Sequence, residues 1–284
     1  MNIMIDAMRF LYLCVLFFFS NWASLVATTD LSDSIKILTI IPARSGSKGI
    51  PHKNIRLLWG KPLIAWSIDQ AKQSKYAEKM RVIVSTDSQE YAQIARGYGA
   101  ETPFLRPEEI SGDMAPDFLW AEHALQWLAE NEGYIPDIVL QLRPTQPCRK
   151  VKDIDKCLDL FIGNRDTYDS LRTVIRSDLF EGKMYNIADG VLIPIFKIFD
   201  GIWEPHNGLR QYFPENIVDY FTDTQKQSVR YLHNGYIDIF NSSVVKKGSI
   251  SGEVIFPYVM DVMDTIDIDT EEDWQEAELV GQAQ

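Results

Sequence analysis

Three short runs in this chain are continuously apolar and rich in β-branched residues: KILTII at 36–41, RVIVS at 81–85 and DIVLQL at 137–142. Strands without polar alternation are buried on both faces, and that burial needs a layer of helices on each side of the sheet. Helical patterns follow where they are needed. One helix opens at Pro62 with Ile64, Ile68 and Ala71 on one face, and another runs from Ser88 to Arg96. A longer one over 116–131 carries Phe118, Leu119, Ala121, Leu125 and Leu128. A helix over 151–162 and a strand from Leu171 to Ile175 complete the pattern. Buried strands alternating with helices predict a three-layer α/β/α domain with a mainly parallel sheet. Ligands of such sheets bind beyond the carboxyl ends of the strands, so the loops after residues 41, 85 and 142 are where chemistry is expected.

No linker, repeat or low-complexity tract divides residues 35–280, which read as one domain. With 28 Lys and Arg against 40 Asp and Glu, the chain carries a formal charge of −12. Such a chain does not coat nucleic acid or an anionic membrane by bulk charge, so any anionic ligand must meet a local basic cluster. Three cysteines (Cys14, Cys148 and Cys157) without CxxC spacing suggest neither a disulfide framework nor a zinc site. Residues 1–30 contain an unbroken apolar run at 10–19 after Arg9, with small residues around 23–27. That segment reads as a signal, an anchor or a start set too far upstream, and membrane contact is expected only if it is retained.

The positive charge is concentrated in the loop after the first strand, PARSGSKGIPHKNIR at 42–56. Gly46 and Gly49 allow close backbone approach, while Arg44, Lys48, Lys53 and Arg56 supply cations, a combination suited to phosphate oxygens. A solvated basic turn is the plainer alternative. Walker A spacing is absent. R-x-G-S-K-G-x-P-x-K-N resembles the signature of the acylneuraminate cytidylyltransferases, the CMP-sialic acid synthetases and their relatives, with Arg44, Gly46, Ser47, Lys48, Gly49, Pro51, Lys53 and Asn54 in register. The resemblance implies a nucleotide-diphospho-sugar transferase-like fold with a small dimerisation and sugar-lid insertion. It also implies a loop that cradles the CTP triphosphate through Ala43, Arg44, Ser45, Gly46, Ser47, Lys48 and Asn54. Arg44, Lys48 and Lys53 take the catalytic role of offsetting charge at the phosphates.

Other segments resemble the same family. Ser85, Thr86 and Asp87 end the second strand as its STD turn does beside the cytidine, although they equally serve as a cap for the next helix. LRPEEISGD at 105–113 would bring Arg106 to the nucleotide, unless that arginine is simply at the surface. LRPTQPCR at 142–149 resembles the family's LQPTSPLR near the sugar, implying sugar contacts by Arg143, Thr145, Gln146 and Arg149. Arg143 replaces a glutamine there, and its planar fork suits a carboxylate. HNGYIDIF at 233–240 resembles PNGAIYI, which adds Asn234 and Gly235 to the sugar set, with Asp238 in place of tyrosine. A long stretch between Arg210 and Asn234 departs from the family, with Arg210 and Gln211 matching its Arg-Gln pair.

TIDIDTEEDW at 265–274 places Asp267 and Asp269 two apart on an extended segment, so both carboxylates share a face. Paired carboxylates beside a triphosphate make a natural Mg²⁺ position, and the family's S-I-D-I-D-T-x-x-D holds its metal there. Thr270 with Asp273 forms a capping box that uses neither aspartate. The expected function is a CTP-dependent cytidylyltransferase activating an acidic α-keto sugar, an N-acylneuraminate or related nonulosonate, with release of pyrophosphate. Mg²⁺ as cofactor, a homodimer, no nucleic-acid partner and a cytoplasmic location are also expected. The alternatives are a nucleotidyltransferase for another acid sugar such as Kdo, a non-catalytic nucleotide-sugar binder on the same fold, or a membrane-tethered protein.

Overall fold

In a computed structural model of the chain, residues 35–112, 115–177, 230–261 and 266–282 are described, together with the backbone of four short strands between 185 and 205. The leader at 1–30, Asp113, and the Arg210–Gln211 pair lie outside the described residues.

The main-domain elements run β1 (Ile37–Pro42), α1 (Leu63–Lys72), β2 (Met80–Ser85), α2 (Gln89–Gly97), α3 (Asp117–Glu132), β3 (Ile138–Gln141), α4 (Val151–Asn164) and β4 (Ser170–Ser177). Strands β5 (Tyr185–Ala188) and β6 (Val191–Pro194) form one antiparallel ladder, and β7 (Phe196–Phe199) and β8 (Ile202–Pro205) form another. The chain ends with β9 (Arg230–Asn241), β10 (Ile255–Met260) and α5 (Glu271–Gln282). Six strands share one sheet in the order β10-β4-β9-β3-β1-β2. Only β9 runs against its neighbours; β1 is parallel to β2 and β3, and β10 to β4. The sheet is therefore mainly parallel, as expected.

The side-chain period of two sorts β1 and β3 between two cores. Ile37, Ile41, Ile138 and Leu140 pack with Ile64, Ile68 and Ala71 of α1 and with Ile154, Leu158 and Phe161 of α4. On the other face Leu38, Ile40 and Val139 meet Trp120, Ala121, Ala124 and Leu128 of α3. Each helix begins about where the pattern placed it. Ser88 caps α2 by accepting from the Tyr91 amide, and Gly133, at φ +61°, closes α3 in the left-handed conformation.

A third, smaller cluster decides the architecture of the site. Ile50, Leu58 and Leu63 pack against Ile268, Trp274 and Ala277, all fully buried. Trp59 donates its indole N–H to the Ala277 carbonyl, and Arg56 lies 4.2 Å over the Trp274 ring while pairing with Glu271. These contacts pin the C-terminal segment onto the loop after β1.

Candidate active site

The loop after β1 is held at its root before it reaches the cleft. Ala43 N–H donates to the Ser85 carbonyl at the end of β2. Asp87 then takes both the amide and the hydroxyl of Ser45, each at 2.7 Å. The STD turn therefore acts on this loop through Asp87, as a clamp. Asn54, nearly buried, donates to the Arg44 carbonyl at 3.0 Å and folds the far end of the loop back. Arg44, Ser47, Lys48 and Gly49 are left facing a cleft of about 470 Å³.

Tertiary packing brings Asp267 and Asp269 to the same cleft. Lys53 donates to the Ile268 carbonyl at 2.7 Å and to Asp269 at 2.8 Å, and Ile268 N–H donates to the Thr145 carbonyl at 2.9 Å. The Gly49 backbone lies so close to this strand that a Cβ there would stand 2.2 Å from the Asp269 carbonyl oxygen. No side-chain-bearing residue fits this crossing. The Asp267 carboxyl is shifted upward by burial and by the charge of Asp269, against a hydrogen bond from Thr145 and the fields of Arg143 and Lys53. The expected capping box is present: Thr270 N–H donates to Asp273, and Asp273 N–H to the Thr270 hydroxyl.

Arg106 lies on the β2 side. Its backbone N–H donates to the Thr86 carbonyl, and its buried guanidinium to the hydroxyl and carbonyl of Ser85. Burial lowers its pKa to about 10, partly opposed by Asp87 and Asp117, so it stays charged at neutral pH.

On the β3 side the structure separates the expected sugar residues. Arg143 and Thr145 line the cleft; Gln146, Arg149, Asn234 and Gly235 form the wall behind it. Arg149 is 3% exposed and spends its guanidinium on the Tyr236 and Arg143 carbonyls, Ser67 and Gln70. Gln146 is buried and donates to the Asn234 carbonyl, while the Asn234 side chain takes the Thr173 hydroxyl. Gly235, at φ +63°, gives room to Arg143, whose Cδ would stand 3.1 Å from a Cβ there. Of the residues expected at the nucleotide, Ala43, Ser45, Gly46, Ser85 and Asp87 do not line the cleft.

Some lining residues were not anticipated from sequence. Asp117 at the start of α3 accepts from Arg143 at 2.9 Å, and Trp120 and Gln141 complete the floor. Beneath them Asp238 is fully buried, paired with Arg172 at 2.8 Å and His233 at 2.7 Å, and 3.6 Å from Arg143. The signal was available in part: Gln141 and Asp238 are polar residues inside apolar strands. Lining charges are five cations, Arg44, Lys48, Lys53, Arg106 and Arg143, against three carboxylates, Asp117, Asp267 and Asp269. In a chain of charge −12 this is a local basic site built for an anion.

A cytidylyltransferase family model matches residues 38–181, half of the chain, spanning the loop, the STD turn and the segment through β4. The chain belongs to the cytidylyltransferase family. It is 33% identical over 248 residues to the N-acylneuraminate cytidylyltransferase of Escherichia coli O18:K1:H7, covering 87% of this chain and 52% of that protein. Over 126 residues it is 42% identical to the CMP-N,N′-diacetyllegionaminic acid synthase of Legionella pneumophila, covering 44% of this chain and 53% of the synthase. The chain thus spans about half the length of the curated relatives it matches. A CMP:2-keto-3-deoxy-manno-octonic acid synthetase, solved with CTP, shares the fold at a TM-score of 0.58 and 16% identity, covering 88% of this chain and all of that one. The α/β fold shared with that synthetase and membership of the cytidylyltransferase family are as the sequence motifs implied. Among the described residues no helix is long and apolar enough to cross a membrane.

Proposed function

We propose that this chain transfers CMP from CTP to the anomeric hydroxyl of an acidic α-keto sugar, releasing pyrophosphate. One observation carries the reading: the cations of the β1 loop and the carboxylates of Asp267 and Asp269, more than 200 residues apart in sequence, share one cleft. Transfer of a nucleotidyl group needs alignment and charge stabilisation more than covalent help. Arg44 and Lys48 face the position of the phosphates and offset the charge that grows as pyrophosphate leaves. Lys53 contributes through Asp269, whose carboxylate it holds in place. Arg106, anchored at the end of β2, takes the nucleoside side, and the β3 side is left for the sugar.

Asp267 and Asp269 suit Mg²⁺. The pair is short of a full protein cage, as fits an ion that keeps waters and phosphate oxygens. When bound, the ion would neutralise phosphate charge. A cytoplasmic location follows from the need for CTP. A homodimer is supported by the exposed apolar side chains Tyr231, Leu232, Ile255 and Val259 at the β9–β10 end of the sheet.

The test is pyrophosphate release with CTP and Mg²⁺ against N-acetylneuraminate, N,N′-diacetyllegionaminate, pseudaminate and 3-deoxy-manno-octulosonate. Release with one of the first three supports the reading. Release with the octulosonate alone makes the chain an enzyme of the Kdo type. Silence from folded protein that binds CTP refutes the reaction and leaves a nucleotide binder.

A further inference from the structure

Three polar side chains of the cleft lack partners that the protein itself should supply. Gln141 is 1% exposed, and neither its amide nitrogen nor its amide oxygen is hydrogen-bonded. Trp120 is 4% exposed with its indole N–H unpartnered, and Nε of Arg143 is buried without an acceptor. Buried polar atoms in this state are uncommon, because each has given up its hydrogen bonds to water. Here all three residues line one cleft. Their convergence marks a place where a ligand completes the set.

Sheet geometry locates this place. Val139 packs into the α3 core, so Gln141, two residues on, lies on the same face, the one that carries Trp120. β3 flanks β1 on the side away from β2, where Arg106 is anchored. Gln141 therefore belongs to the half of the cleft opposite the nucleoside anchor. Asp238 stands directly across from Gln141, and Arg172 across from Asp238, continuing the polar row behind the floor.

The charge of Arg143 is already met. Asp117 accepts from it at 2.9 Å, and Asp238 stands 3.6 Å away. A ligand carboxylate at Arg143 would have to displace Asp117 or lie against it. What remains open beside it is uncharged: donors on Trp120 Nε1 and Gln141 Nε2, and one acceptor on Gln141 Oε1. A secondary amide matches that inventory. Its carbonyl accepts two N–H groups and its own N–H donates to Gln141, while the Trp120 ring with Ile110 and Ala115 walls an acyl methyl.

We propose that Gln141 and Trp120 are specificity-determining residues that read an uncharged acylamino substituent of the sugar, and that Arg143 does not receive the sugar's carboxylate. The assignment rests on the reaction proposed above. It departs from the expectation that the Arg143 fork holds an acid.

The experiment compares Gln141→Leu and Trp120→Phe with wild type in pyrophosphate release. Substrates are the acylamino sugar that wild type uses best and 3-deoxy-manno-octulosonate, which carries only hydroxyls and a carboxylate. For Gln141→Leu, kcat/KM for the acylamino sugar should fall by about 10- to 100-fold, because a pocket built to hydrogen-bond a group discriminates strongly once that bond is gone. KM for CTP should stay within about twofold, and turnover of the octulosonate should not fall. Trp120→Phe keeps the ring and removes only the N–H; a loss of roughly 3- to 10-fold confined to the acylamino sugar is expected, and it decides the matter if Gln141→Leu does not fold. Unchanged sugar kinetics in an active enzyme, or a loss shared by CTP, overturns the assignment alone. Wild-type release with the octulosonate alone overturns this assignment but not the transfer reaction; wild-type protein silent with every sugar overturns both.

Discussion

Gly49→Ala isolates the contact that joins the two halves of the active site. A Cβ on residue 49 would sit 2.2 Å from the Asp269 carbonyl oxygen, whereas real Cβ contacts stay beyond 3.0 Å, so one backbone must retreat by about 0.8 Å. The Asp269 strand cannot yield alone. Its neighbours are fixed by the Ile268–Thr145 hydrogen bond at 2.9 Å, the Lys53 bonds at 2.7 and 2.8 Å, and the buried Ile268 and Trp274 side chains. Overpacking of this kind costs about 1–3 kcal/mol, or a melting temperature lower by roughly 3–10 °C for a chain of this size. Catalysis should suffer more, since a displacement near 1 Å in positioning groups costs on the order of 100-fold in rate. The assay is pyrophosphate release at saturating CTP and sugar, alongside thermal melting. Gly163→Ala is the control: it lies in α4 with nothing within 4 Å of its added methyl, so rate should hold and stability rise slightly. Turnover by Gly49→Ala within about threefold of wild type, with an unshifted melt, would refute the claim that this crossing positions the carboxylates.

Arg149→Met should unfold at lower urea, by about 3 kcal/mol or more, because three buried acceptors, the Tyr236 carbonyl, the Ser67 hydroxyl and the Gln70 amide oxygen, lose their donor together; Arg149→Lys should not restore it, since an ammonium cannot span the fork. Full rescue by lysine would show that charge alone matters there. Asp267→Asn and Asp269→Asn should each raise the Mg²⁺ needed for half-maximal pyrophosphate release by about tenfold or more, with chelator abolishing wild-type turnover; an unchanged Mg²⁺ requirement would remove both from the metal site. At Asp238 burial favours the protonated acid, but the His233 hydrogen bond and the charges of Arg172 and Arg143 outweigh it and hold the carboxyl far below the usual range. A depressed folded-state pKa gives stability that is complete above the unfolded value near ~4 and is lost as pH falls through and below it. Melting temperature should therefore drop below about pH 4 more steeply in wild type than in Asp238→Asn, and equal slopes would refute the pairing.

Much of the β1-loop half of the cleft was legible in the chain itself. Continuous apolar runs marked β1, β2 and β3 as strands of one sheet, and a single parallel crossover rule then put the 42–56 loop at the sheet's carboxyl edge. Arg44, Lys48 and Lys53 were visible because they break the acidic background within a few residues of one another. Asp267 and Asp269 were visible through their motif, yet nothing in their local pattern says where the segment lies. Ile50, Leu58, Leu63, Ile268 and Trp274 decide that by burying each other.

The sugar side was less legible, for a related reason. Arg149, Gln146 and Asn234 read like surface ligands when written in a line, since polar residues in loops usually meet solvent or substrate. In the fold Gln146 and Arg149 donate to backbone carbonyls behind the cleft and Asn234 accepts from Thr173, while Asp117, from a helix whose pattern marks only its buried face, comes forward to hold Arg143. Local sequence determined which segments are strands, which loop is basic, and where backbone may approach closely. Only the tertiary structure decided which charges face the cleft and which are spent inside the wall, because hydrogen-bond partners far apart in the chain are chosen by packing rather than by spacing.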